Sequence, residues 1–461
     1  MNEIRLLSAT PILGYGFPES SFEAGLAQDP HMIGADGGST DPGPYYLGAG
    51  QAFCSRVSMK RDLRIMIKGG VSRGIPVIVS TSGGAGGEPH LQLMADIVRE
   101  IAAEEQLSFK LALIHSELDA EFLIERVASG RVQAVSRQQP LSENMINDAA
   151  RIVGLMGPEP YIRALDEGAQ VILAGRSTDP APWAAVVIRA GLPPAQAWYA
   201  GKMLECGSEP AVPKREGCLL ARVTDQYVDL EPTNPAQRCT TLSVANFALH
   251  ENKSPIHHAE PGGMLDTSDC VFEQINDRMV RVSGMRWEPN ATYTVKIEGV
   301  RHTGFRAMTI CATRDPILIR DVERYLEIIN ANIDEKTTAF GVKSDDYRIA
   351  IRSYGRNGVM GARESAAFNA PHEMAFVVEV LAATQEVANA VTGIARLSML
   401  HSDFPGRMCR EGNMAIPFSP SDISLGNAYE FSVFHIVDVD DPNQLFPIDY
   451  SNIGACHDQN S

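Results

Sequence analysis

Four polar segments in the first 180 residues carry most of the side chains able to do chemistry, and each follows an apolar run that reads as a strand. They are 36–46 (DGGSTDPGPYY), 80–90 (STSGGAGGEPH), 115–117 (HSE) and 175–179 (GRSTD). In an open α/β sheet, ligands bind beyond the carboxyl ends of the strands, where loop amides and helix N-termini converge. Asp36 closes an apolar run, so desolvation would raise its proton affinity toward acid or base work; a turn-stabilising role competes with this. Arg176 follows a buried strand and could grip a carboxylate through two parallel hydrogen bonds, unless it forms an ordinary surface ion pair. His115, with Glu117 and Asp119 nearby, could exchange protons at neutral pH, although a lone histidine is more often structural.

The second loop holds Thr81, Ser82, Gly83, Gly84, Gly86 and Gly87. Glycines there would let backbone N–H groups approach a carboxylate or phosphate, or would simply make a flexible turn. The loop lacks the Gly-Lys-Ser/Thr of a Walker A, and Pro89 breaks the dinucleotide fingerprint. Ser39-Thr40-Asp41-Pro42 recurs identically as Ser177-Thr178-Asp179-Pro180. Thr-Asp-Pro fits a helix start with Asp as N-cap and Pro at the first helical position; two related substrate loops explain the echo about as well. Cys206 is a candidate nucleophile with no base implied by spacing, and an inert buried thiol competes. The stretch 255–269 (PIHHAEPGGMLDTSD) has the residue types of a metal site, but no helix-borne ligand spacing, and no metal ligand is assigned.

These segments need elements to position them. Up to residue 210, short apolar runs alternate with helical patterns, which predicts a doubly wound, mostly parallel sheet covered on both faces, a Rossmann-like domain over 1–210. Helices are expected at 142–153, 158–167 and 180–190, among others. From 211 to 461 the texture is α+β: antiparallel runs with a hairpin at 275–278, then a β-α-β-β-α-β order that reads as ferredoxin-like.

The 461 residues carry 40 Lys+Arg against 57 Asp+Glu, a net charge of −17 that argues against nucleic acid and acidic membrane surfaces as partners. Eight cysteines are scattered without a CxxC pair, which suits free thiols in a reducing compartment. The N-terminal MNEIRLLSATPILGYG has neither the basic region nor the long apolar core of a signal peptide, and the expected location is cytoplasmic.

The segments GADGGSTDPGPYYLG, STSGGAGGEPH, AGRSTDPA, LECG, HHAEPGGMLDTSD, RDPILI and GNMAIPFSPSD resemble the acyclic terpene utilisation family, AtuA, from about residue 8 to residue 447. The resemblance implies a catabolic protein of branched terpenoid or carboxylic-acid pathways, in a shorter branch that ends near Phe446-Pro447-Ile448. The leading expectation is a lyase or hydratase acting on a small or CoA-linked branched carboxylate by proton abstraction next to a carbonyl. In it Asp36, His115 and Asp179 move protons. Ser39, Thr40, Asp41, the loop from Thr81 to Gly87, Arg176 and Ser177 bind substrate. A hydrolase using Ser82, Ser177 or Cys206, and a non-catalytic metabolite-binding subunit, are the alternatives. No cofactor is assigned, and a homo-oligomer, alone or with a small partner subunit, is the expected assembly.

Overall fold

The computed structural model describes residues 3–249, 254–408 and 413–454. Cys409, Cys456 and the first residue of GNMAIPFSPSD lie outside the described residues. The chain divides into two compact units, 1–301 with 431–461, and 302–430.

In the first unit, β1 (Ile4–Ser8), β2 (Met32–Asp36), β3 (Val77–Ser80), β4 (Phe109–Ile114) and β5 (Val171–Ala174) pair in parallel, in the order β1-β2-β3-β5-β4. All residues of β2, β3 and β5 are buried. Burial on both faces is why these strands read as nearly unbroken apolar runs. Alternation along them sorts Leu6, Met32, Ile78 and Ile172 to one face, where they pack with Trp183 and Trp198. Leu7, Ile33, Val79 and Leu173 go to the other, against Phe22, Met66 and Met94. Helices α1 (Glu19–Leu26), α2 (Arg56–Val71) and α3 (Glu88–Glu105) cover that second face. The first face is covered by α4 (Glu159–Asp166), α5 (Ala181–Arg189) and α6 (Pro194–Leu204).

The centre is therefore a mixed α/β sheet with a parallel core, and β1 stands at one end of the parallel block. The change of texture near residue 210 marks a change of strand direction within the same sheet. Strand β6 (Leu219–Val223) pairs antiparallel with β1, and β7 (Tyr227–Pro232) pairs antiparallel with β6. At the other edge, Ile448–Ile453 pairs antiparallel with β4. A two-residue turn joins β8 (His257–Glu260) to β9 (Gly263–Asp266), and β10 (Thr294–Thr313) begins in this unit.

In the second unit, the remainder of β10 is followed by α7 (Val322–Ala339), β11 (Tyr347–Tyr354), β12 (Met374–Ala382), α8 (Gln385–His401) and the first part of β13 (Asp422–Asp438). The sheet order is β11-β12-β10-β13, and Tyr325, Ile329, Phe376 and Met399 share its core.

Two local expectations are corrected. The helix expected over 142–153 is a short helix, Glu143–Asn147, followed by a strand, Ala149–Gly154, whose last residues are buried. The strand pairs antiparallel with β10, a long-range partner that overrides local propensity. Asp41 and Asp179 are not N-caps. The helices after them start later, with Gly43 and Pro180 at the cap positions and no side-chain cap bond, which leaves both carboxylates to other work.

The strand exits are tied together by hydrogen bonds. Gly37 N–H donates to the Ser80 carbonyl at 2.9 Å, Thr81 N–H to Gly175 at 3.0 Å, and Arg176 N–H to Gly86 at 3.1 Å. Ser116 Oγ donates to the Gly86 carbonyl and accepts from Arg176 N–H, both at 2.7 Å. Gly86 has φ +69°, and a Cβ there would sit 2.3 Å from the Arg176 nitrogen. Gly86→Ala combines left-handed strain with a backbone collision, and should cost on the order of 2 kcal/mol or more. Thermal unfolding of the variant should show a clearly lowered Tm; an unchanged Tm would contradict this packing.

Candidate active site

A cavity of about 760 Å³ opens in the first unit beyond the carboxyl ends of the parallel strands. Ser39 and Asp41 come from the loop after β2, and Arg176, Thr178 and Asp179 from the loop after β5. Lys202 and Glu205 stand at the end of α6, His257 and Glu260 on β8, and Lys296 and Glu298 on β10. Val135, Leu155, Phe434 and Ile436 form an apolar wall.

Arg176 is 5% exposed, and its guanidinium is held on several sides. Its Nε donates to Glu298 Oε2 at 3.3 Å; its Nη1 donates to Asp179 Oδ1 at 3.3 Å, to the Ser177 carbonyl at 3.0 Å and to Thr81 Oγ1 at 3.4 Å. Burial opposes the charge, but Glu298, Asp179 and Asp36 raise its proton affinity above the ordinary guanidinium value. Glu298 also accepts from Thr40 Oγ1 at 2.8 Å, and its Oε1 lies 2.8 Å from Lys296 Nζ. Burial would raise this carboxyl, yet Arg176 and Lys296 outweigh it and hold it at about 2.

Other carboxyls go the opposite way. Asp36, buried and accepting from Ser80 Oγ at 2.7 Å, is pushed well above the usual carboxylate range by burial and then by the Asp179 charge. Burial and Asp179 together push Glu260 up to about 8, against Thr178 and Lys202. Glu205 is raised by burial and by Asp179 and Glu260, although Lys202 Nζ donates to it at 2.5 Å. Lys202, in turn, stays above its ordinary value despite burial because Glu205 faces it. One cavity thus holds ammonium groups, a carboxylate of low proton affinity and carboxyls of high proton affinity. Such a spread is the electrostatic arrangement that acid–base chemistry requires.

Of the residues singled out from the sequence, Ser39, Asp41, Arg176 and Asp179 line the cavity. Thr40 and Thr81 bind its charged groups, and Ser177 supplies a carbonyl to Arg176. Asp36 lies behind the lining, within electrostatic reach of Asp179 and Arg176. His115 is not among the lining residues. Its Nδ1 lies 2.8 Å from Glu88 Oε2 and its Nε2 lies 3.2 Å from Asp449 Oδ2, and these carboxylates raise its pKa against the effect of burial. Ser82, Gly83, Gly84, Gly86 and Gly87 do not line the cavity either. The N–H groups of Ser82, Gly84 and Gly86 donate to the carbonyls of Ala174, Thr81 and Ser82, so these amides serve the turn itself. Among the described residues, no group of three or more His, Cys, Asp or Glu side chains is placed to hold a metal ion.

Lys202, Glu205, Glu260, Lys296 and Glu298 are the cavity groups that sequence reasoning does not assign. LECG and HHAEPGG stand out as motifs without revealing that Glu205 and Glu260 face one space. On β10, Lys296 and Glu298 alternate with Val295 and Ile297, a charged face on a buried strand that does signal a site.

Fold and cavity define a mixed α/β protein with a polar chamber at the carboxyl ends of its parallel strands. The chain belongs to the acyclic terpene utilisation family: the model of the acyclic terpene utilisation family protein AtuA matches residues 56–210 and 228–416. That family has a catabolic role. No curated protein and no solved structure matches the chain. Among the described residues, no helix is long and apolar enough to cross a membrane.

The Arg176–Glu298 pair makes a stability prediction. Removing one partner of a buried ion pair leaves the other uncompensated, so Glu298→Gln should destabilise the protein by about 3 kcal/mol at pH 7. The folded-state value of Glu298, about 2, lies below the ordinary 4.5, so its contribution is complete above pH 4.5 and is lost as pH falls toward 2. Urea unfolding of both proteins should therefore show a gap at pH 7 that narrows at pH 3; a gap independent of pH would contradict the assignment.

Proposed function

We propose that this protein is a catabolic enzyme acting on a small branched carboxylate, free or as its CoA thioester, by moving a proton next to the carbonyl in a lyase or hydratase reaction. The observation that carries the reading is the confinement of Glu260, Asp179 and Lys202 to one cavity with an apolar wall. Its volume of about 760 Å³ falls within the range of small-molecule sites.

The residues divide the work by charge. Glu260, pushed to about 8, keeps its proton at neutral pH and serves as the acid. The Asp179 carboxylate, oriented by Arg176 at 3.3 Å, serves as the base. The Lys202 ammonium polarises the carbonyl oxygen. In the elimination direction Asp179 takes the Cα proton and the electron pair of that C–H bond forms the C=C bond. The C–O bond to a β-hydroxyl breaks, and Glu260 gives its proton to the departing oxygen, which leaves as water. Hydration runs the same steps backwards. Phe434, Ile436, Val135 and Leu155 offer the branched apolar part of the substrate a surface that water does not compete for.

The hydrolase alternative has less support. Burial and the adjacent Glu205 raise the Cys206 thiol, which disfavours the thiolate. Ser177 Oγ donates to the Thr178 carbonyl at 2.8 Å, and Ser82 is fully buried away from the lining.

Incubation in D₂O with a panel of branched 3-hydroxy and 2,3-unsaturated acids, free and as CoA thioesters, tests the reading. Mass spectrometry should find one deuterium at the α-carbon of the 3-hydroxy acid formed by hydration of a 2,3-unsaturated substrate. Binding without exchange would point to the metabolite-binding subunit, and an acyl adduct on the protein would point to the hydrolase. Glu260→Gln and Asp179→Asn should each lower kcat/KM by about 10²-fold or more while the protein stays folded. In the elimination direction, kcat/KM of the unaltered enzyme should fall as pH rises through about 8, because Glu260 then loses the proton it must donate.

A further inference from the structure

The turn that carries Glu260 is pinned from outside the cavity by two residues that do not line it. β8 and β9 are joined by Pro261 and Gly262 alone, with Glu260 opposite Gly263 in the register. Gly262 has φ +82°, as the third residue of a type II turn requires, and Pro261 presets the second. Three groups converge on the small space over Gly157. A Cβ built there would meet Tyr293 Oη at 2.2 Å, Glu159 Oε2 at 2.8 Å and Pro261 Cβ at 3.0 Å. Tyr293 Oη donates to Glu159 Oε2 at 2.6 Å, and Glu159 is the first residue of α4. The Tyr293 ring also lies against Gly262, 3.2 Å from the position of a Cβ there, and the Gly262 carbonyl accepts from Asn290 N–H at 2.9 Å. A helix start, a hydrogen bond and a packed ring, from Glu159 and Tyr293, which do not line the chamber, therefore hold the turn.

Resting on the acid role of Glu260 proposed above, we infer that Tyr293 and Glu159 are positioning residues that hold the Glu260 carboxyl in place through the Pro261–Gly262 turn. The bond they share keeps the ring pressed on Gly262, and the ring keeps the turn from opening. A loosened turn would admit water to the carboxyl and return its proton affinity toward that of an exposed glutamate. The chemistry of the pair sets which substitutions matter. Glu159→Gln keeps an acceptor for the tyrosine O–H. Glu159→Ala removes it, and Tyr293→Phe keeps the ring while removing the donor.

The experiment is ¹³C NMR of the full chain labelled at glutamate side-chain carboxyls, with the Glu260 signal assigned by its loss in Glu260→Gln and folding checked by Tm. Tyr293→Phe and Glu159→Ala should lower the Glu260 titration midpoint by about one pH unit or more, and Glu159→Gln should leave it near the unaltered value. With a substrate found in the D₂O panel, the first two variants should lower kcat far more than they raise KM, and Glu159→Gln should restore kcat. A midpoint in Tyr293→Phe equal to that of the unaltered protein overturns the positioning role. Full activity of Glu260→Gln overturns the acid assignment instead, so the two failures are distinguishable.

Discussion

A guanidinium taken out of water must be surrounded by acceptors, and Arg176 imposes that demand at the centre of this molecule. Dehydrating an ion costs several kcal/mol unless partners repay it. Here the partners come from three places in the chain, two of them distant: Asp179 from the same loop, Thr81 from the loop after β3, and Glu298 from β10, 122 residues away. The cavity is consequently incomplete until the first part of β10 has docked. Backbone pairing with Ala149–Gly154 and burial of Val295 and Ile297 hold the start of this long strand in place, and Glu298 meets the cation from there.

The same cation differentiates the acids around it. Arg176 and Lys296 hold Glu298 as the anion against its burial. Glu260 and Asp36 feel mainly burial and each other's neighbour Asp179, and their proton affinities rise. No separate device is needed to make one carboxyl an anion and another an acid. Unequal burial and unequal access to the cations do it: Arg176 and Lys296 hold Glu298 low, whereas burial and Asp179 prevail at Glu260, which is how a chamber crowded with carboxylates becomes graded and not merely repulsive.

The parallel strands were legible because burial on both faces leaves an apolar run, and the loops at 36, 80 and 175 were legible because a polar or glycine-rich segment follows each run. Arg176 and Asp179 could be picked out on that ground alone. His115 shared the signal but engages Glu88 and Asp449, since side-chain direction at a strand exit is not encoded in the exit itself. The glycine loop looked like an anion cradle, and its amides instead close the turn on neighbouring carbonyls. Helix α6, which carries Lys202, was not anticipated, and Ala149–Gly154 looked helical because its pairing partner lies about 150 residues further on. Contacts of that range leave no local trace except a charged side chain on a buried strand, as at Glu298.

The repeated tetrapeptide shows how local sequence and tertiary need can differ. Ser-Thr-Asp-Pro suggests a helix cap at both 39–42 and 177–180, yet neither aspartate caps a helix. In the first copy Thr40 donates to Glu298 Oε2 at 2.8 Å, and Arg176, one residue before the second copy, donates to the same oxygen at 3.3 Å. One carboxylate oxygen thus receives hydrogen bonds from both loops, and Asp41 and Asp179 are left facing the chamber. Two identical segments at the exits of β2 and β5, the strands on either side of β3, become two walls of one site because a third element supplies the acceptor between them. The helix-start chemistry that the tetrapeptide carries on its own is used at neither site, and the first copy spends its threonine on Glu298 instead.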